Sequence, residues 1–188
     1  YEQKRQKKYK QYLEKKNSSI IEIKNKQRKL LYQNYLSDTE CAKIIVENSP
    51  RLWERKITDE DFLSVRIGIG KVHSKIDIAY PQEKFVMEDD NLLDSLTKII
   101  DNSQTIDNSP VTISLVKNTV TTLVSKDDEL AWKFMKNVIM QLITFHSYDD
   151  LKLVFLLNSN SSSEWQYVKM LPHVWDNSKQ IRFFADNY

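Results

Sequence analysis

The chain has two glycines in 188 residues, Gly68 and Gly70, where average usage would give about thirteen. No other feature constrains the fold as strongly. Glycine-rich phosphate loops and the dinucleotide fingerprint need glycines at fixed spacing, because backbone N–H groups must reach phosphate without a Cβ in the way. The nearest match is Gly68-Ile69-Gly70-Lys71, which has Val65 where the first glycine belongs and Val72 where Ser or Thr belongs. It also runs on into a strand rather than a helix. The two glycines share one strand face, and the expectation is that they admit another backbone or a bulky ring such as Trp53.

Apolar residues make up 40% of the chain, with nine Tyr, seven Phe and four Trp, which excludes a disordered polymer. The length suits one domain with a core and an appended element. A single cysteine, Cys41, excludes an internal disulfide scaffold and a cysteine-cluster metal site. No apolar run reaches the roughly 18–20 residues that span a bilayer, and no apolar leader segment is visible. The chain opens on Tyr1 rather than Met, so a piece of a longer protein is expected. Charge is divided unevenly. Residues 1–35 carry 11 basic and 3 acidic side chains, and residues 36–188 carry 17 and 23. On charge alone, such a basic arm suits nucleic acid, anionic lipid, an acidic partner or plain solvent.

Residues 1–35 hold no Pro or Gly and are rich in helix formers, which predicts a long helix with a weak apolar seam. Ser37-Asp38-Thr39-Glu40 is a capping box opening a second helix that ends near Ser49-Pro50. Alternation in residues 64–70 predicts a strand, with a partner over 75–80 closed by Pro81. An amphipathic helix follows Asp89-Asp90. Residues 111–116 and 119–125 are expected to pair across a turn at Lys117-Asn118. The helix from about Asp127 to His146 is apolar nearly all round except for a stripe including Lys133, Asn137, Gln141 and Thr144. It is therefore expected to be buried against a sheet. Leu151–Leu157 reads as a central parallel strand covered on both faces. An exposed loop over 158–163, a short helix over 164–171 and a last strand over 180–185 complete an α/β pattern.

In Val120–Lys133, VTTLVSKDDELAWK, an apolar strand is expected to run into a turn that opens the long helix, the layout at which many enzymes hold nucleotide phosphate. The chemistry differs. Ser125 is the expected cap, and Asp127, Asp128 and Glu129 place three carboxylates where phosphate would sit. The motif lysine and the magnesium-holding Ser/Thr are absent, and Asn158-Ser159-Asn160 supplies no carboxylate after the later strand. The expectation is a structural turn. His73, His146 and His173 are scattered. His146 stands where a helix terminus favours a cation. His146-Ser147 with Asp149-Asp150 is too local for a catalytic triad, and His173 with Asp176 lacks further metal ligands.

Arg51-Leu52-Trp53-Glu54-Arg55, followed by Asp59-Glu60-Asp61-Phe62-Leu63-Ser64-Val65-Arg66-Ile67-Gly68-Ile69-Gly70, resembles the EssC/EccC family of FtsK/SpoIIIE-type membrane ATPases of type VII secretion. Leu142–Phe155, Leu171–Asp176 and Ile181–Asn187 look like later phrases of the same region, in the same order. The resemblance covers nearly the whole chain. It implies the cytoplasmic stretch between the membrane helices and the first motor ATPase domain, on the cytoplasmic side of the bacterial cell membrane. Residues 1–35 would form a basic stalk helix, and residues 36–188 a degenerate P-loop (RecA-like) ATPase-type α/β domain lacking some strands. No catalytic, cofactor-binding or metal-binding residue carries over, and no cofactor is expected. The implied role is a non-catalytic stalk and pseudo-ATPase module that couples membrane and motor by protein contacts through the stalk and the Trp53–Arg66 segment. The implied partners are the downstream ATPase domains of the same chain, other type VII secretion membrane components and further copies in the full assembly, with no nucleic acid. The alternative is an atypical ATPase that still binds or hydrolyses nucleotide at the 125–129 turn.

Overall fold

Ser37 decides where the first long helix gives way to the second. Its hydroxyl accepts from the Glu40 N–H at 3.4 Å while its own N–H donates to the Glu40 carboxylate at 2.8 Å. This reciprocal box satisfies two donors at the start of helix α2, Asp38–Val46. In the computed structural model, which describes residues 2–78 and 91–186, α2 follows helix α1, Glu2–Asn34. Strand β1 (Ser64–His73), helix α3 (Asn91–Ser103), strand β2 (Thr105–Ser114) and helix α4 (Asp128–Phe145) come next. The chain closes with strand β3 (Phe155–Leu156), 3-10 helices at Ser159–Met170 and Pro172–Val174, and strand β4 (Phe184–Ala185). The fold is mixed helix and strand, with two small sheets.

The chain divides into two units, residues 1–35 with 68–111, and residues 36–67 with 112–188. In the first, the C-terminal half of α1 is fastened by side chains at helical spacing. Lys24 Nζ donates to the Asn102 carbonyl at 2.7 Å, Arg28 Nε to that of Asp107 at 3.1 Å, and the Tyr32 hydroxyl to that of Asn108 at 3.2 Å. The Gln27 carboxamide oxygen accepts from the Ser74 hydroxyl and the Lys75 N–H. Such a row on one face fixes the helix rotationally. The N-terminal half differs: residues 4–12 are all exposed, and Leu13 is buried.

In the second unit α4 is the centre of the core, as its all-round apolar sequence predicts. Leu36, Cys41 and Ile44 pack on Phe145. Val65, Leu63 and Ile113 pack on Val138 and Leu142. Trp165 and Val168 pack on Ile139.

Four strand expectations are corrected. Residues 111–116 and 119–125 do not pair. Instead β1 and β2 form a two-stranded sheet, antiparallel in that Leu115 N–H donates to Leu63 and Ser74 N–H to Gln104. Residues 119–125 are irregular, with Val120 and Val124 each 88% exposed. The Lys117-Asn118 turn does form, since Asn118 donates to the Ser114 carbonyl through both backbone and side chain, but no strand returns from it. Residues 75–78 are irregular too, and Tyr80, Pro81, Asp89 and Asp90 lie outside the described residues. Leu151–Leu157 is extended, but only Phe155–Leu156 is strand, parallel to Phe184–Ala185. Its alternate residues Val154 and Leu156 are both 65% exposed, so one face is covered and not two. Period-two burial explains why a continuous apolar run overstated this strand. The expected strand over 180–185 shortens to β4, and the 158–163 loop and 164–171 helix merge into one 3-10 stretch.

Candidate functional site

The 125–129 turn offers phosphate little. Asp127, not Ser125, caps α4, its carboxylate accepting from the N–H groups of Glu129 at 2.9 Å and Leu130 at 3.2 Å. Ser125 instead closes a turn with Asp127, donating to its carbonyl and accepting from its N–H. A bound anion would have to displace the Asp127 carboxylate from those donors. Glu129 pairs with Lys133 at 2.7 Å, which holds its carboxyl below the usual range. No strand leads into this turn, so the phosphate-loop layout read from the sequence is absent as well as its residues.

The other end of α4 is more elaborate. A helix leaves its last carbonyls without internal partners, and here distant residues satisfy them. Trp53 Nε1 donates to the Ile143 carbonyl at 3.1 Å, Trp53 N–H to that of Thr144 at 2.8 Å, and Arg55 N–H to that of Phe145 at 2.9 Å. His173 Nε2 donates to the His146 carbonyl at 2.9 Å. Two bulky residues adopt left-handed backbone to reach these positions, Trp53 at φ +59° and Leu63 at φ +54°. Such conformations cost on the order of 1–3 kcal/mol each and persist where surrounding contacts fix them. The Arg51–Ser64 segment is thus wrapped around the end of α4.

Arg55 holds the wrap together. It is 4% exposed, and its Nε meets the Asp61 carboxylate at 2.9 Å. Its Nη1 donates to the Ser64 carbonyl at 2.7 Å, and the guanidinium lies 4.3 Å from the Phe145 ring centroid. One cation therefore joins both ends of the loop and stands at the negative end of α4, which has no basic residue in its own last turn. Farther along, the Gln141 carboxamide accepts from Arg66 N–H at 2.7 Å and donates to the Arg66 carbonyl at 2.9 Å.

His146 does not act as the terminal cation that its position suggested. Its Nε2 accepts from Leu63 N–H at 3.0 Å, so Nδ1 carries the proton and donates to the Leu142 carbonyl. Burial lowers the pKa of His146 and of His173. With both His146 nitrogens occupied, Ser147 and Asp150 simply bond each other in a local turn. The Asp176 carboxylate is taken by Ser178, Gln180 and Ile181. Burial pushes the Cys41 thiol up to about 11, which makes it unreactive. Lys71 forms an exposed ion pair with Asp107 at 3.4 Å, and His73 is exposed. Among the described residues no group of three or more His, Cys, Asp or Glu is placed to hold a metal. A cavity of about 150 Å³ beside this end of α4 is lined by Tyr148, Lys152, Trp175 and Lys179 among others.

Gly70 would bring a Cβ to 3.0 Å from Val111 Cγ2, whereas a Cβ at Gly68 would meet nothing within 4 Å. Only one of the two glycines accommodates a neighbour, and Trp53 instead packs edge-on against Tyr148.

Most of the phrases that carried the family resemblance converge on this wrapped helix end. Over 185 residues, 98% of this chain, the sequence is 27% identical to the type VII secretion system protein EssC of Staphylococcus aureus strain NCTC 8325. Over 176 residues, 91% of this chain, it is 31% identical to the ESX secretion system protein YukB of Bacillus subtilis strain 168. The chain belongs to the EssC/EccC family. It spans 12% of the length of that EssC and 11% of YukB, so the family assignment concerns one segment of much longer relatives. No family model matches the chain. Among the described residues, no helix of this EssC/EccC-family segment is long and apolar enough to cross a membrane.

From sequence, Trp53 is expected beside the glycines and Trp53–Arg66 as a contact segment, with Gln141 on a polar stripe and Asp127 among the first-turn acids. The bonds that Trp53, Arg55 and Gln141 make and the cap that Asp127 forms are not foreseen there. The available signal was a helix with no basic residue in its last turn and a tryptophan-arginine pair far upstream.

Proposed function

We propose that the chain is a non-catalytic stalk and pseudo-ATPase module of a type VII secretion motor protein. It works on the cytoplasmic side of the bacterial cell membrane and couples membrane and motor parts through protein contacts. The observation that carries this reading is the start of α4, where the Asp127 carboxylate already occupies the Glu129 and Leu130 N–H groups and two further acids follow. A phosphate there meets filled donors and like charge. The parallel β3–β4 pair and the central α4 support a body descended from an ATPase-type domain that has lost its nucleotide loop. Its partners are the downstream ATPase domains of the parent chain, other secretion membrane components and further copies in the assembly.

Calorimetric titration with magnesium ATP at low salt tests the non-catalytic part, with no heat beyond dilution expected. Saturable binding tighter than about 1 mM, worth roughly 4 kcal/mol, overturns it in favour of an atypical ATPase. Affinity purification of the tagged parent protein from bacterial membranes tests the coupling part. Secretion membrane components should be recovered with the parent and lost when this segment is deleted, and recovery unaffected by the deletion sinks the coupling role.

A further inference from the structure

Six of the seven basic residues in the exposed half of α1 lie on one side of the helix. At about 100° per residue, Lys4, Arg5, Lys7, Lys8, Lys15 and Lys16 fall within an arc of about 180°, while Lys10 and Glu14 lie outside it. The buried Leu13 sits on the opposite side. Residues 4–12 and 14–16 are all exposed. Tyr12 lies inside the arc and Tyr9 at its border, their ring centroids 6.4 Å apart. Tyr12 is 54% exposed, and Lys16 Nζ is 5.5 Å from its ring centroid.

We infer that this face is a docking surface for the anionic headgroups of a lipid bilayer, which lays the first four turns of α1 along the membrane surface. The inference rests on the membrane-side reading proposed above and adds a partner to it. Charge complementarity selects the occupant. A protein partner would need apolar anchors at the centre of the patch, and residues 4–12 contain no aliphatic apolar side chain. A single-stranded nucleic acid would use aromatic platforms onto which bases stack, whereas these two tyrosines stand at one flank of the arc with a lysine across one ring. A duplex, which needs only basic side chains, is told apart by the binding test. A sheet of mobile anions needs only a broad basic face, and tyrosine rings suit the headgroup depth. Without aliphatic residues the helix adsorbs electrostatically and does not insert.

The test is sedimentation of the full chain with vesicles of equal parts phosphatidylglycerol and phosphatidylcholine, beside vesicles of phosphatidylcholine alone. Binding is expected only with the anionic vesicles. It should be lost as salt rises from about 0.1 M to about 1 M, which shortens the screening length from about 10 to about 3 Å. Replacing Lys4, Arg5, Lys7 and Lys8 by Gln keeps helix propensity and should weaken binding on the order of a thousandfold, each charge near the surface counting about 1 kcal/mol. Replacing the exposed Lys56, Lys75, Lys117 and Lys126 removes equal charge elsewhere and should change it little. Equal losses in the two variants, or no sedimentation with anionic vesicles, overturn the inference. So does tighter binding of a DNA duplex that depends on the same four residues. Membrane-component recovery that persists while vesicle binding fails sinks this inference and leaves the coupling role standing.

Discussion

The Leu63 backbone N–H donates to His146 Nε2 at 3.0 Å, and this bond joins the left-handed residue of one loop to the last ring of α4. The histidine serves as an acceptor, a role it can fill only while neutral. His173, which caps the His146 carbonyl, is buried beside it at 1% exposure. The end of α4 therefore depends on two uncharged imidazoles.

Stability should fall as pH drops below the ordinary histidine value of about 6.5. Both native pKa values are lowered by burial, so the unfolded chain takes up protons first and is favoured as pH falls through 6.5 toward the native values. Each histidine contributes a slope of at most about 1.4 kcal/mol per pH unit. Urea unfolding between pH 7.5 and 5 measures this, and His146→Gln should flatten the profile. An unchanged midpoint across that range contradicts the assignment.

Arg55→Ala should cost about 3 kcal/mol, because it removes a buried cation that bonds Asp61 and Ser64 and covers Phe145. Arg55→Lys keeps the charge and loses the planar fork, so it should fall between the two. Chemical denaturation ranks the three proteins, and a lysine variant as stable as the parent removes the fork argument.

Asp127→Ala should lower stability by about 1 kcal/mol through loss of the cap on α4. Ser125→Ala should cost less, since Ser125 bonds only within the turn. Thermal melts distinguish the two, and a larger loss at Ser125 would return the cap to the position expected from sequence.

The glycines should separate cleanly. Gly68→Ala meets no neighbour and should stabilise by about 0.5 kcal/mol through the unfolded chain. Gly70→Ala crowds Val111 and should destabilise by about 1 kcal/mol. Equal melting temperatures for the two variants count against this contact.

The sequence made the local signals readable. The Ser37 box, the long α1 and the apolar α4 follow from capping chemistry and periodicity, which act over a few residues. Strand partners did not follow, because β1 finds β2 across a stretch of sequence that contains α3. The turn at Lys117-Asn118 looked like a hairpin, and only tertiary packing decides that Val120 and Val124 stay in solvent. At the candidate site, the acids after Ser125 were readable as a bar to phosphate. The wrapping of Trp53 and Arg55 around α4 was not, since left-handed backbone at Trp53 and Leu63 runs against their own preferences.

Gln141 bears on how this protein keeps to itself. Its carboxamide offers Arg66 the acceptor and donor that a neighbouring strand would otherwise supply. A foreign strand arriving along β1 finds both backbone groups of Arg66 already engaged, and its ladder would be interrupted at that residue. One side chain from a helix thus guards a two-stranded sheet against edge-to-edge aggregation, a hazard that exposed strand edges carry in any crowded assembly.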